Sequence, residues 1–248
     1  MTFVARIGRA PEYAVAMRIL CISDIQGDAR ALGAVLALAE RTGYARLLVA
    51  GDLCFPGPEP LQVWRRLTQA GATCVQGVSD RAIATLDPEA LPVKTEQERE
   101  RLATLSRTQR ELGELILARL LRLETKVRID LPDGSELLLV HGSPADPTEA
   151  ITHDMSDEDI RGLLGDDPAD IVVCGGSHLP FDRTVMGVRI VNVGSVGQAI
   201  TTGGPRHADA TFIEIGPAAG RGAAAFQVTQ IVVPLENPGE TPAPGAVG

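Results

Sequence analysis

Aromatic residues are scarce in this chain: one Trp, two Tyr and five Phe make up 3% of 248 residues. A core of the size such a length allows must therefore be built from Ala, Val, Leu and Ile. Long apolar runs are missing too, and none approaches the ~18–20 residues of a membrane span. The first 16 residues have no apolar stretch of the secretory kind, because Arg6, Arg9 and Glu12 interrupt them; they read as an N-terminal extension. The four cysteines (Cys21, Cys54, Cys74, Cys174) form no C-x-x-C pair. Three sit in or at the end of apolar runs, as small buried hydrophobes do, which suits a reduced, cytoplasmic interior. Positive charge is short, with 23 Lys and Arg against 32 Asp and Glu, a formal net charge of −9. That balance excludes a broad nucleic-acid surface. An acidic protein can still hold a phosphate ester if a metal ion supplies local positive charge. No G-x-G-x-x-G follows the first apolar run, which excludes a dinucleotide-binding oxidoreductase.

What is present is an alternation. Residues 18–23 read as a buried strand and 29–42 as a helix with Asp28 at its N-cap. A second strand (46–52), a second helix (59–71) and a third strand (73–77) complete a β-α-β-α-β run, which implies parallel strands with right-handed crossovers. A long helical stretch follows over 95–124, opened by a Thr95/Glu98 capping box, with Leu102, Leu105, Leu112, Leu115 and Leu120 on its apolar face and Gly113 as a break point. It could cap a site or form a dimer face, the latter leaving room for a homo-oligomer. Asp133-Gly134 marks a β-hairpin, and further strands are expected at 170–174, around 183–192, at 210–215 and at 225–233. Residues 236–248 are rich in Pro and Gly and read as a disordered tail. The expectation is α/β: one domain over 17–235 with a helical insertion at about 95–124, two sheets packed face to face and helices outside.

In such folds ligands gather beyond the C-terminal ends of the strands. There the chain places Asp24-Ile25-Gln26, Gly51-Asp52, Gly77-Val78-Ser79-Asp80, His141-Gly142, Gly175-Gly176-Ser177-His178 and Asn192-Val193-Gly194-Ser195. Any one of these has an ordinary reading as a turn, a helix cap or a core histidine. Two adjacent buried carboxylates, Asp24 and Asp52, require a cation, a shared proton or an arginine such as Arg81, Arg183 or Arg206.

The order of these segments, "SDIQGD", "AGDLCFPGPEP", "GVSDRAI", "VHGSPADP", "GGSHLPFDR" and "NVGSVGQ", resembles the calcineurin-like metallophosphoesterases, in particular their small bacterial phosphodiesterase branch. That family reads D-x-H, G-D, G-N-H-D, H-G, G-H-x-H and N-x-G-S. The resemblance implies a four-layer α-β-β-α sandwich with two mixed sheets, and hydrolysis of phosphate esters at a two-metal centre. It puts the first metal on Asp24, Gln26, Asp52 and His178, with Gln26 where the family has a histidine. It puts the second on Asp52, Val78, His141 and Gly176, where Val and Gly offer no side-chain lone pair, so that only Asp52 and His141 remain. His153 and His207 are the candidates to complete it. The family's catalytic histidine is Ser79, which leaves Asp52, Ser79 and Asp80 as the catalytic candidates. Gly142, Asn192, Ser195 and Arg183 are the substrate-binding candidates. An oxygen-rich donor set favours one divalent ion, Mn or Mg over Zn or Fe. Two readings follow. One is a phosphate-ester hydrolase of weak or altered single-metal activity; the other is a non-catalytic protein that binds a phosphorylated ligand, a nucleotide or a protein partner.

Overall fold

Side chains alternate along the first strand, Met17–Ile22 (β1). Ile19 and Cys21 face one way, Leu20 and Ile22 the other, and all four are fully buried. A strand buried on both faces must lie between two layers. The structure, a computed structural model, describes residues 17–166, 169–201, 203–216 and 226–236. The expected extension over 1–16 and, apart from Glu236, the expected tail lie outside these residues.

The chain continues with Ala29–Thr42 (α1), Arg46–Val49 (β2), Pro60–Gln69 (α2), Thr73–Cys74 (β3), Val78–Thr85 (α3) and Glu96–Leu121 (α4). Then come Lys126–Asp130 (β4), Glu136–Val140 (β5), Asp157–Leu164 (α5), Ile171–Cys174 (β6), Phe181–Val185 (β7), Val188–Asn192 (β8), His207–Ile215 (β9) and Phe226–Pro234 (β10). They form two mixed sheets of five strands, ordered β10-β9-β1-β2-β3 and β4-β5-β6-β8-β7. β1, β2 and β3 run parallel in the first sheet, as do β5, β6 and β8 in the second.

Ile19, Cys21 and Leu48 from the first sheet meet Leu139, Val173 and Val191 from the second in an aliphatic seam between them. On its outer face the first sheet carries α1, α2 and α4, through Leu32, Val63 and Leu112 among others. The second carries α5, through Ile160 and Leu164. These are the four layers expected, filled almost entirely by aliphatic side chains. No helix among the described residues is long and apolar enough to cross a membrane.

Asp28 caps α1 as expected, its carboxylate accepting the Ala31 N–H at 2.8 Å, and Thr95 with Glu98 caps α4. Three local expectations change. Residues 181–192 hold a hairpin, β7 and β8, turning through Met186 and Gly187, both at positive φ. The helices α3 and α5 were not foreseen. Leu115, expected on the apolar face of α4, is 68% exposed. The cause is Gly113, whose φ of 71° interrupts the helix and shifts the phase of its C-terminal part, so that Leu120 is buried and Ile116 and Leu117 pack on the core instead.

Candidate metal centre

The loops after β1 and β2 prolong the pairing of their strands. The Asp24 N–H donates to Gly51 O at 3.1 Å, Gln26 N–H to Asp52 O at 2.9 Å and Gly27 N–H to Leu53 O at 2.9 Å. A third loop, following β8, grips the same segment: Val196 N–H donates to Ser23 O, and Gly197 N–H and the Ser195 hydroxyl donate to Asp24 O. Such lacing holds the backbone where it would not otherwise stay. Five non-glycine residues among those described have positive φ, and four of them are Asp24 (52°), Gln26 (56°), Asp52 (55°) and His178 (59°). Each such position costs of order ~1–3 kcal/mol, and conformations of this kind concentrate at functional sites.

The strain aims side chains at one place. Oxygen or nitrogen atoms of Asp24, Asp52 and His141, all buried, lie within 4.8 Å of one another, close enough to share a metal ion. The ring of His141 places Nδ1 2.7 Å from Ala50 O. A carbonyl can only accept, so Nδ1 is the donor there, and Nε2 is turned to Asp52 Oδ1 at 3.6 Å, the nitrogen that would ligate a cation. Asp24 Oδ2 accepts the Gly176 N–H at 2.9 Å, while Oδ1 is buried with no hydrogen-bond partner. Oδ1 nevertheless sits 3.1 Å from His178 Nε2. The residues thus fit a divalent cation: an orphaned carboxylate oxygen, a second carboxylate and an imidazole held in the ligating tautomer. Gly51 permits the approach, since a Cβ on it would stand 2.8 Å from Gly77 backbone atoms and from His141 Nδ1.

The electrostatics agree. Burial raises the Asp24 carboxyl, but the His178 and His141 rings more than offset this, and it ends below its ordinary range. Burial raises Asp52, helped by the charge of Asp24 and opposed by His141. Asp24 in turn lifts His178. Asp80 is pushed up to about 7, first by burial and then by Asp52. Its two oxygens accept three backbone N–H groups, those of Asp52, Leu53 and Gly77, at 2.9–3.0 Å. That makes Asp80 a brace for the loop bearing Asp52.

Several candidates stand elsewhere than expected. Gln26 turns its amide N–H to Asp52 Oδ2 at 3.3 Å, His178 stands against Asp24 Oδ1, and His141, expected as a ligand with Asp52, forms the compact group with Asp24 and Asp52. Asn192 is fully buried; its amide donates to Gly175 O and accepts from Gly194 N–H. Ser195 Oγ donates to Asp24 O and accepts from Gln198 N–H. Both therefore hold loops in place. Gly142 packs tightly, its N–H donating to Pro147 O. The Arg183 guanidinium is engaged by Met155 O and by Asp157 at the start of α5, and Arg206 pairs with Asp28. Arg81 is exposed. None of the three arginines compensates Asp24 and Asp52. Val78 is 48% exposed, and a Cβ on Gly176 would lie 3.6 Å from His141 Nε2. His153 is exposed and His207 leans on Asp209, so neither joins the group. Ser79 donates its N–H to Asp52 Oδ1 at 2.8 Å, and its hydroxyl is buried without a partner.

Next to the cluster opens a cavity of about 690 Å³. Gln26 and Ser79 belong to its wall, as do the first turns of α4 from Gln97 to Leu105. No motif announced this wall. Its only sequence signal was a long amphipathic helix with no other employment.

Two sheets whose parallel strands end around a cation-ready cluster define a metal-dependent phosphoesterase scaffold. Residues 17–213 match the calcineurin-like phosphoesterase superfamily domain, and the chain belongs to that family. Its members use divalent metals and act on phosphate esters. Among solved structures, a hypothetical protein (PH1004) from Pyrococcus horikoshii OT3 is 22% identical over 89% of each chain, with a TM-score of 0.68. A metallophosphoesterase from Sphaerobacter thermophilus is 25% identical over 89% of each chain, with a TM-score of 0.65. No curated protein matches the chain.

Proposed function

We propose that this protein hydrolyses phosphate esters with one divalent cation, held by Asp24, Asp52 and His141, with Mn or Mg preferred. The observation that carries the reading is the convergence of Asp24, Asp52 and His141, whose donor atoms lie buried within 4.8 Å of one another. Two buried carboxylates this close are costly to ionise together without a cation to share. A cation at that point would act as a Lewis acid, polarising the phosphoryl oxygen and acidifying water.

The chain's own residues divide the remaining work. His141 is fixed in one tautomer by Ala50 O, and Gln26 and the Ser79 N–H steady the two oxygens of Asp52. His178, raised by Asp24, stands beside the cluster, where its ring suits a phosphoryl oxygen. No imidazole occupies the Ser79 position, so protonation of the departing oxygen is the weak step, and activity on poor leaving groups should be low. The substitutions at Val78, Ser79 and Gly176 also favour a second reading, a phosphate-binding protein without turnover.

Elemental mass spectrometry on Mn²⁺-equilibrated protein, paired with turnover of bis(4-nitrophenyl) phosphate, separates these. One ion per chain and turnover lost in Asp52→Asn supports the hydrolase. One ion with no turnover supports the binding protein. No bound ion sinks both forms of the metal-centred proposal.

A further inference from the structure

We infer that the cavity beside the cluster receives the alcohol portion of the ester, and that this portion is a flat, apolar ring attached through a phenol-type oxygen. The inference rests on the reading of Asp24, Asp52 and His141 as the phosphate site. Gln26 and Ser79 join the two, since both hydrogen-bond the Asp52 carboxylate and both line the cavity. A phosphate at the cluster can thus direct one ester oxygen into a space of about 690 Å³, in the range of cavities that hold small ligands.

The walls say what fits there. Phe55, Leu102 and Leu105, with the exposed Leu86 at the rim, give the wall its apolar part, and Phe55 is half-buried and able to stack on a ring. The charged pair Glu100 and Arg101 lies exposed at the outer turn of α4. The polar wall residues Gln26 and Ser79 lie on the cluster side, where the phosphate sits.

Leaving-group chemistry points the same way by an independent route. No histidine lines the cavity among the described residues, and its one carboxyl, Glu100, is exposed. His178 is turned to Asp24 and lies off this wall, so an oxygen departing into the cavity leaves without a proton. In the step, the water oxygen bonds to phosphorus, the bond from phosphorus to the ring oxygen breaks, and that oxygen keeps the electron pair. The proton lost by water goes to solvent. A phenolate, whose conjugate acid ionises near ~10 as in Tyr, leaves in this way readily. An alkoxide, close in basicity to hydroxide with water at ~15.7, does not. A largely apolar cavity whose wall carries no imidazole therefore selects aryl over alkyl esters.

Calorimetric titration of the Mn²⁺-loaded protein with phenylphosphonate, methylphosphonate and octylphosphonate tests this without relying on turnover. Phenylphosphonate is expected to bind at least ~10-fold more tightly than methylphosphonate. Ala82→Trp, which fills the cavity from α3, is expected to bring it down to the methylphosphonate level, and Phe55→Ala to remove most of the preference should the Trp variant not fold. Equal binding of phenyl- and methylphosphonate overturns the cavity assignment while leaving the phosphate site standing. Tighter binding of octylphosphonate than of phenylphosphonate overturns the ring in favour of an alkyl chain. Binding of none of the three overturns the phosphate site, and this inference with it.

Discussion

Placing an imidazole at position 79 should return a missing proton to the reaction. Ser79 lies in the first turn of α3 and on the cavity wall, its N–H bonded to Asp52, so Ser79→His would bring a ring between the cluster and the cavity. A positioned general acid contributes ~10²–10⁴-fold. At pH 7 an imidazole with an ordinary pKa of ~6.5 is about one-quarter protonated. The helix N-terminus disfavours the cation by ~0.3–1 kcal/mol, a factor of about 2–5, while the carboxylates of Asp52 and Asp80 pull the other way. The expected gain is roughly 10²-fold for a leaving group that needs the proton and under about threefold for one that does not. Benzyl methyl phosphate and 4-nitrophenyl methyl phosphate form the right pair, because both carry one aromatic ring and differ chiefly in leaving-group basicity. Chromatography of released benzyl alcohol and absorbance of nitrophenolate follow them in parallel. An equal gain on both esters, or none on the benzyl ester while Mn²⁺ content is retained, would refute the assignment of the weak step.

Other perturbations address the fold and the cluster. Leu120→Ala, at a fully buried side chain, should cost about 2–5 kcal/mol in denaturant unfolding, whereas Leu115→Ala should stay within about 0.5 kcal/mol; similar losses would mean that α4 does not change phase at Gly113. Gly51→Ala places a Cβ 2.8 Å from Gly77 and His141 at a φ of 84°, so both thermal stability and Mn²⁺ stoichiometry should fall, and an intact metal content would count against the geometry. In chelator-treated protein, Asp52→Asn should raise the melting temperature, because the carboxyl is raised by burial and by Asp24. The same variant should abolish the upward shift that Mn²⁺ gives the unmodified chain, and a preserved shift would place the ion elsewhere.

The elements that were legible in the sequence are those whose signals are local. The run Leu20–Ile22 followed by Asp28 and the repeat of α1 specifies strand, cap and helix within 25 residues, and Asp133-Gly134 specifies its own hairpin. The helix α3 was hidden because its N-cap is Gly77, which has no side chain, while its stabilising carboxylate, Asp80, braces a loop 27–28 residues away in sequence. For α5 the cap signal was present, Ser156 with Asp159, and only the shortness of the helix obscured it. The residues of the site were legible from order and spacing, but their partition was not. Nothing local tells that Ala50 O fixes the His141 ring, that Gln26 turns its N–H to Asp52, or that Asn192 and Ser195 tie neighbouring loops together. Those facts depend on which loops meet across the two sheets.

That meeting also has a mechanical side. Asp24 and Asp52 follow strands of one sheet and His141 follows a strand of the other, so an ion shared by them would rivet the two halves of the sandwich together. The four cysteines of this chain are free and, but for Cys74, buried, and its sheets have no covalent tie. A cation would be the reversible counterpart of a disulfide, adding about 1.4 kcal/mol to the fold for each tenfold rise in its free concentration above Kd. The strength of the protein would then follow the supply of a metal in its surroundings, making the fold itself a gauge of that supply.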